Sequence, residues 1–91
     1  MLSRIECTVS GRVQLVMYRD FACRKARKLG LTGMVKNMPD GKVKVVVEGE
    51  PETLKTYVEY LKRGSLLSRV ESVDVHPHLA TGEFSTFLIE Y

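Results

Sequence analysis

The stretch that decides the fold is Gly11-Arg12-Val13-Gln14-Leu15-Val16-Met17-Tyr18-Arg19. It follows a segment in which Ile5, Cys7 and Val9 alternate with polar residues, as in a half-buried strand. It leads into a segment whose apolar residues have helical spacing. A strand that turns directly into a helix leaves backbone N–H groups unpaired at the helix start, and with the helix dipole these favour an anion. The stretch therefore predicts a strand–loop–helix unit with an anion-binding loop.

Arg19 falls in the first turn of the predicted helix. It brings a permanent positive charge and a planar fork of donors to the loop. The neighbouring Asp20 is predicted to be a carboxylate that favours the helix dipole rather than a general base. Arg19 is therefore the first candidate for binding the anion.

The composition predicts one globular domain over residues 1–91, because so short a chain cannot bury two cores. No apolar run approaches the roughly 20 residues of a membrane helix, and Glu6 falls where the apolar part of a signal peptide would lie. We therefore expect a cytoplasmic protein without a membrane partner. Two cysteines, Cys7 and Cys23, are too few for a disulfide framework or a metal site. Cys7 is predicted to be a buried thiol and Cys23 to lie near the edge of the helical stripe.

The order of predicted elements is strand, helix, strand, strand, helix, strand, strand. These are a strand over Ile5–Ser10, a helix over Tyr18–Leu29, a strand over Thr32–Asn37, a strand containing Val43, Val45 and Val47 with one face buried, a helix from Pro51 to Gly64, a strand over Val70–Val75, and a terminal strand containing Phe87, Ile89 and Tyr91. The turn Met38-Pro39-Asp40-Gly41 indicates a hairpin. The order predicts an α+β ferredoxin-like sandwich (βαββαβ plus a C-terminal strand), with two helices on one face of an antiparallel sheet.

Two spaced motifs, Val9 to Arg19 and Gly33 to Asn37 with Gly41, Val43 and Gly49, resemble the two signatures of the acylphosphatase family. The stretch from Val9 to Arg19 is similar to the first signature, Val-x-Gly-x-Val-Gln-Gly-Val-x-Phe/Tyr-Arg. Gly33-Met34-Val35-Lys36-Asn37, followed by Gly41, Val43 and Gly49, is similar to the second. The resemblance covers nearly the whole chain and implies the same ferredoxin-like fold.

The resemblance implies hydrolysis of the carboxyl–phosphate bond of a small-molecule acyl phosphate, without metal or cofactor. By position, Arg19 is the phosphate-binding arginine and Asn37 the asparagine that orients water. The loop residues implied to bind the substrate are Gln14, Leu15, Val16, Met17, Tyr18 and Arg19, through backbone N–H groups from about Leu15 to Arg19. The side chain of Gln14 is expected to hold the loop by hydrogen bonds. We expect a monomer.

Two residues depart from the signatures. Leu15 stands where the family pattern has glycine. A positive φ at Leu15 would cost roughly 1–3 kcal/mol, and its side chain would also be able to crowd the pocket; alternatively, its dihedral is ordinary. Met34 replaces an aromatic residue expected beside the site, which keeps apolar packing but not rigidity.

Two other classes of function are alternatives. The first is a non-catalytic phosphate-ligand binding module of the same fold, because fold alone does not decide function. The second is an RNA-binding domain, which would need stacking aromatics on the central strands. The third strand carries valines instead, and five of the fourteen basic residues lie in the first helix, where a solvated face explains them. We therefore expect no nucleic-acid partner.

Overall fold

The computed structural model describes residues 1–91. Its elements are β1 (Ser3–Arg12), α1 (Tyr18–Lys28), β2 (Thr32–Asn37), β3 (Val43–Gly49), α2 (Pro51–Arg63), β4 (Arg69–His78) and β5 (Phe87–Glu90). The strands form one five-stranded sheet in the order β4-β1-β3-β2-β5. The apolar stripes of both helices meet the sheet in a single core. The predicted ferredoxin-like α+β sandwich is confirmed.

The sheet is mixed rather than purely antiparallel. β1 pairs antiparallel with both β3 and β4, and β2 pairs antiparallel with β3. β5 instead runs parallel to β2, with Phe87 opposite Gly33. Because β4 and β5 are the two outer strands, residues 79–86 have to cross the sheet from one edge to the other. At the far edge, β5 therefore runs in the same direction as β2, which the order of elements alone did not reveal.

A bulge directs β1 into the loop that precedes α1. The register of β1 against β4 shifts between Ser10 and Gly11, and Gly11 has a φ of 124°. A Cβ atom at Gly11 would overlap the backbone oxygen of Arg69. Only glycine fits this close approach, and the bulge bends the strand where it leaves the sheet.

β3 is buried over part of its second face as well, although the sequence predicted one buried face. On the face away from the helices, Val46 is 6% exposed and Glu48 is 2% exposed. Glu48 accepts hydrogen bonds from the backbone N–H groups of Thr81 (2.8 Å) and Gly82 (3.0 Å) and from Arg4 Nε (2.7 Å). Burial opposes ionisation of Glu48, but these hydrogen bonds prevail and lower its pKa to about 2. The crossing segment therefore covers part of this face and is held there by Glu48 together with Arg4, which also contacts Thr81 and Glu83.

The helix ends agree with the sequence-based prediction to within one residue. Pro51 is the first residue of α2, and Gly64 caps its end. α1 ends one residue earlier than predicted, with Leu29 as its cap. Neither helix is both long enough and apolar enough to cross a bilayer.

Both cysteines are free thiols in the core. Cys7 is fully buried, as predicted, and burial raises its pKa to about 12. Cys23 is more buried than its place near the stripe edge suggested, at 5% exposure, and its thiol donates to the backbone oxygen of Phe87 at 3.6 Å. The burial of these thiols fits a packing role.

Candidate active site

The loop between β1 and α1 presents a row of unpaired backbone donors. No backbone N–H from Leu15 to Asp20 donates to a protein acceptor, and no side chain caps the start of α1. The N–H of Phe21 is the first that finds an acceptor, the backbone oxygen of Met17 at 3.1 Å. Unpaired N–H groups at the positive end of a helix attract an anion.

Two loop residues hold left-handed backbone conformations. Leu15 has a φ of 62° and Met17 a φ of 61°, and they are the non-glycine residues of the chain with positive φ. Of the alternatives left open by the sequence, the positive φ at Leu15 is therefore the correct one, with a cost of roughly 1–3 kcal/mol. The Leu15 side chain is 100% exposed, so it does not fill the hollow of the loop.

Gln14 ties this loop to the β2–β3 turn. Its Nε2 atom donates to the backbone oxygens of Met38 (2.8 Å) and Lys42 (2.9 Å). Both amide hydrogens are thus occupied by the turn that directly follows Asn37. The side chain therefore holds the β1–α1 loop against this turn by hydrogen bonds, as the sequence led us to expect.

The guanidinium of Arg19 lies at the edge of the loop and has no carboxylate partner. Its Nη1 atom donates to the backbone oxygen of Glu90 at 3.3 Å, and its Cζ atom lies 4.9 Å from the centre of the Tyr91 ring. The adjacent Asp20 is paired with Arg24 instead, with an Oδ2–Nε distance of 2.8 Å. The charge of Arg19 is therefore available to a ligand.

Asn37 is the last residue of β2. Its Oδ1 atom is buried and accepts no hydrogen bond from the protein. An unpaired buried acceptor costs about 1–3 kcal/mol, and such atoms in native proteins call for an explanation. Asn37 lines the same cavity as the loop and Arg19.

The cavity has a volume of about 420 Å³. It is lined by Val13, Leu15, Met17, Tyr18, Arg19, Asp20, Asn37, Ile89 and Tyr91. A larger groove of about 650 Å³ lies between α2 and β4 and has a mainly apolar floor. Only the smaller cavity is lined by a guanidinium without a carboxylate partner, by an asparagine with an unpaired amide oxygen and by loop residues with free backbone donors, so it is the candidate active site.

Some residues singled out in the sequence lie apart from this cavity. Val16 and Gln14 do not line it. Met34, expected beside the site, pairs with Val46 on the sheet and is also absent from the cavity lining. The Tyr18 side chain is buried, and its hydroxyl donates to the backbone oxygen of Leu61 at 2.8 Å. Tyr18 can therefore offer its backbone N–H to a ligand but not its hydroxyl.

Sequence reasoning did not identify the apolar wall of the cavity. Val13, Ile89 and Tyr91 line it beside the polar groups. The alternation of Phe87, Ile89 and Tyr91 was visible in the sequence. However, nothing local indicated that β5 pairs with β2 and so reaches Arg19.

Comparison with known proteins identifies the family of this chain. The family model for acylphosphatase matches residues 5–89. The chain belongs to the acylphosphatase family. It is 46% identical over 88 residues to the acylphosphatase of Methylococcus capsulatus, covering 97% of this chain and 96% of that protein. It is 50% identical over 74 residues to the acylphosphatase of Thermus thermophilus, covering 81% of this chain and 84% of that protein.

Solved structures of acylphosphatases match the fold of this chain. The crystal structure of the acylphosphatase from Bacillus subtilis superposes with a TM-score of 0.94 at 37% identity and covers 100% of both chains. An acylphosphatase from Coxiella burnetii gives a TM-score of 0.92 at 34% identity, covering 98% of this chain and 93% of that one. The acylphosphatase resemblance seen in the two signatures is therefore confirmed for the family and the fold.

Proposed function

We propose that this chain hydrolyses the carboxyl–phosphate bond of acyl phosphates, with the phosphate held by the Leu15–Arg19 loop and Arg19, and with water oriented by Asn37. The observation that carries the proposal is the convergence of three unsatisfied groups in one cavity. The cavity is lined by loop residues whose backbone N–H groups are unpaired, by Arg19, which has no carboxylate partner, and by Asn37, whose Oδ1 has no partner in the protein.

The loop and Arg19 suit a phosphate dianion. Backbone N–H groups at a helix start attract negative charge, and a guanidinium takes two phosphate oxygens at once through its planar fork. Both donor types are fixed before the ligand arrives, because Gln14 holds the loop and the end of β5 contacts Arg19. Preorganised donors of this kind stabilise the charge that develops on a transferring phosphoryl group.

Asn37 suits the positioning of the attacking water. Its Oδ1 atom accepts a hydrogen bond from the water and turns a lone pair of the water oxygen towards phosphorus. A bond forms between that oxygen and phosphorus, and the bond between phosphorus and the acyl oxygen breaks. The acyl group leaves as a carboxylate, and the proton of the water passes to the phosphate product or to solvent. A carboxylate is a good leaving group, so positioning and electrostatics can supply most of the catalysis.

Hydrolysis of benzoyl phosphate, followed by its change in absorbance, tests the proposal. We expect Arg19→Ala and Asn37→Ala each to lower kcat/KM by about 100-fold to 1,000-fold, the usual effect of removing one stabilising donor. Arg63→Ala is the matched control, since Arg63 is an exposed arginine on α2 outside the cavity. Near-parental turnover by Arg19→Ala or Asn37→Ala would refute the assigned roles.

The alternative of a non-catalytic binding module predicts a different result. Inorganic phosphate would then perturb the amide resonances of residues 15–20, but no acyl phosphate would be turned over. The exposed side chain of Leu15 leaves the loop open to phosphate, which both functions require. Turnover that depends on Arg19 would exclude the module.

The small cavity supports a small-molecule substrate. We also propose a monomer, because all the groups that we place in the reaction come from one chain. We propose the cytoplasm as its location. Size-exclusion chromatography with light scattering tests the monomer. A dimer that alone hydrolyses benzoyl phosphate would contradict it.

A further inference from the structure

The mouth of the active-site cavity carries two large apolar side chains that the fold does not use. Leu15 is 100% exposed and Met17 is 70% exposed. Both sit on backbone with positive φ, which disfavours side chains larger than glycine. Burial in the protein therefore does not explain why a leucine occupies position 15, and the positive φ there disfavours one. A ligand that covers this side chain would explain it.

The position of these side chains relative to the polar groups indicates what such a ligand contains. Leu15 and Met17 line the cavity that holds Arg19 and Asn37, and Ile89 contributes a further apolar side chain. When the anion of a ligand binds the loop amides and Arg19, the rest of the ligand lies against these apolar side chains. The site is thus polar where a phosphate would bind and apolar around it.

We propose that Leu15 and Met17 form an apolar rim that binds the acyl group, so that the preferred substrates are acyl phosphates with extended aliphatic or aromatic acyl groups. This inference rests on the proposed function and adds the substrate class. The rim acts on the acyl group, while the loop amides and Arg19 act on the phosphate. It therefore discriminates among acyl phosphates without altering the bond that is broken.

A series of acetyl, butyryl, hexanoyl and benzoyl phosphates tests the rim through the ratio of kcat/KM for hexanoyl and acetyl phosphate. Full burial of a methylene group corresponds to about a fourfold gain, so an open rim that covers one side should give about twofold per methylene and about 16-fold from acetyl to hexanoyl. We expect Leu15→Ala to lower this ratio to about fourfold, because part of the covering surface is removed. Met17→Ala should lower it in the same direction.

The matched control is Leu66→Ala. Leu66 is 98% exposed and does not line the cavity, so this variant should keep the parental ratio. Leu15→Gly separates side chain from backbone: the rim predicts a loss of selectivity in both Leu15→Ala and Leu15→Gly. A loss confined to Leu15→Gly would trace selectivity to loop flexibility and overturn the inference.

Competitive inhibition by methylphosphonate and hexylphosphonate gives a second readout that does not require turnover of the tested compound. The parent should bind hexylphosphonate more tightly, and Leu15→Ala should narrow the difference. An Arg19-dependent enzyme with equal kcat/KM for acetyl and hexanoyl phosphate would overturn the rim and leave the proposed function intact. Absence of hydrolysis for the whole series would overturn both.

Discussion

The guanidinium carbon of Arg19 lies 4.9 Å from the centre of the Tyr91 ring. The same guanidinium donates to the backbone oxygen of Glu90 at 3.3 Å. An aromatic face attracts a cation without neutralising it, and a carbonyl oxygen carries no full charge. The end of β5 can therefore orient Arg19 while leaving its charge for a ligand.

Replacing Tyr91 should weaken this orientation. Loss of an exposed cation–π contact corresponds to about a twofold to fivefold fall in kcat/KM, which we expect for Tyr91→Ala with acetyl phosphate, a substrate too small for extensive contact with the ring. Tyr91→Phe keeps the aromatic face and should stay within about twofold of the parent. An equal fall in both variants would assign the effect to the hydroxyl and contradict the stacking role.

Leu15→Gly should stabilise the protein. Glycine relieves the positive φ at this position, and the relief exceeds the added entropy of the unfolded chain, so we expect a gain of about 0.5–1 kcal/mol in the free energy of unfolding. Leu66→Gly makes the same chemical change at an exposed leucine without positive φ and should not be stabilising. Urea unfolding of both variants and the parent measures the difference. A loss of stability in Leu15→Gly would show that the side chain supports the fold after all.

Tyr18→Phe should destabilise the protein because it removes a buried hydrogen bond. The hydroxyl of Tyr18 donates to the backbone oxygen of Leu61 at 2.8 Å, and that of Tyr57 donates to the backbone oxygen of Ala22 at 2.9 Å. Tyr57→Phe is therefore the matched control, and each variant should lose about 1–2 kcal/mol in urea unfolding. If Tyr18→Phe alone abolished hydrolysis, the hydroxyl would have a part in the reaction that its position does not suggest.

Glu48 should make stability depend on acid pH. The pKa of Glu48 in the folded protein is about 2, below its ordinary value of 4.5. A lowered carboxyl pKa stabilises the fold above the ordinary value, and that contribution is lost as the pH falls from about 5 to about 2. We expect the free energy of unfolding of the parent to exceed that of Glu48→Gln at neutral pH, and the gap to narrow over this range. The control Glu71→Gln, at an exposed carboxylate of β4, should follow the parent; a constant gap for Glu48→Gln would contradict the lowered pKa.

Local patterns were sufficient to predict most of the architecture. Pro51 and Gly64 marked the ends of α2, and the turn at Met38–Gly41 marked the hairpin, because proline and glycine act through their own backbone geometry. Alternation identified the face of β3 that meets the helices. These features depend on residues close in sequence, so a single chain reveals them.

Features that depend on distant contacts were not predicted. Nothing in residues 79–86 indicated that they cover the outer face of the sheet, and the burial of Glu48 follows from that crossing. The contact of Arg19 with Glu90 and Tyr91 likewise depends on the parallel pairing of β5 with β2. The signatures singled out Arg19 and Asn37, which both line the cavity, whereas the pairing of β5 with β2 that brings Ile89 and Tyr91 beside them was not predicted.

The donors of the loop belong to the main chain, so they are independent of which side chains the loop carries. Leu15 illustrates this: a leucine occupies a left-handed position, and the neighbouring N–H groups remain free. Side chains at the mouth of the cavity can therefore be exchanged without removing the backbone N–H groups that we propose bind phosphate. On the proposed mechanism, exchange of side chains at the mouth would change which acyl groups are accepted, while the main-chain donors would stay the same.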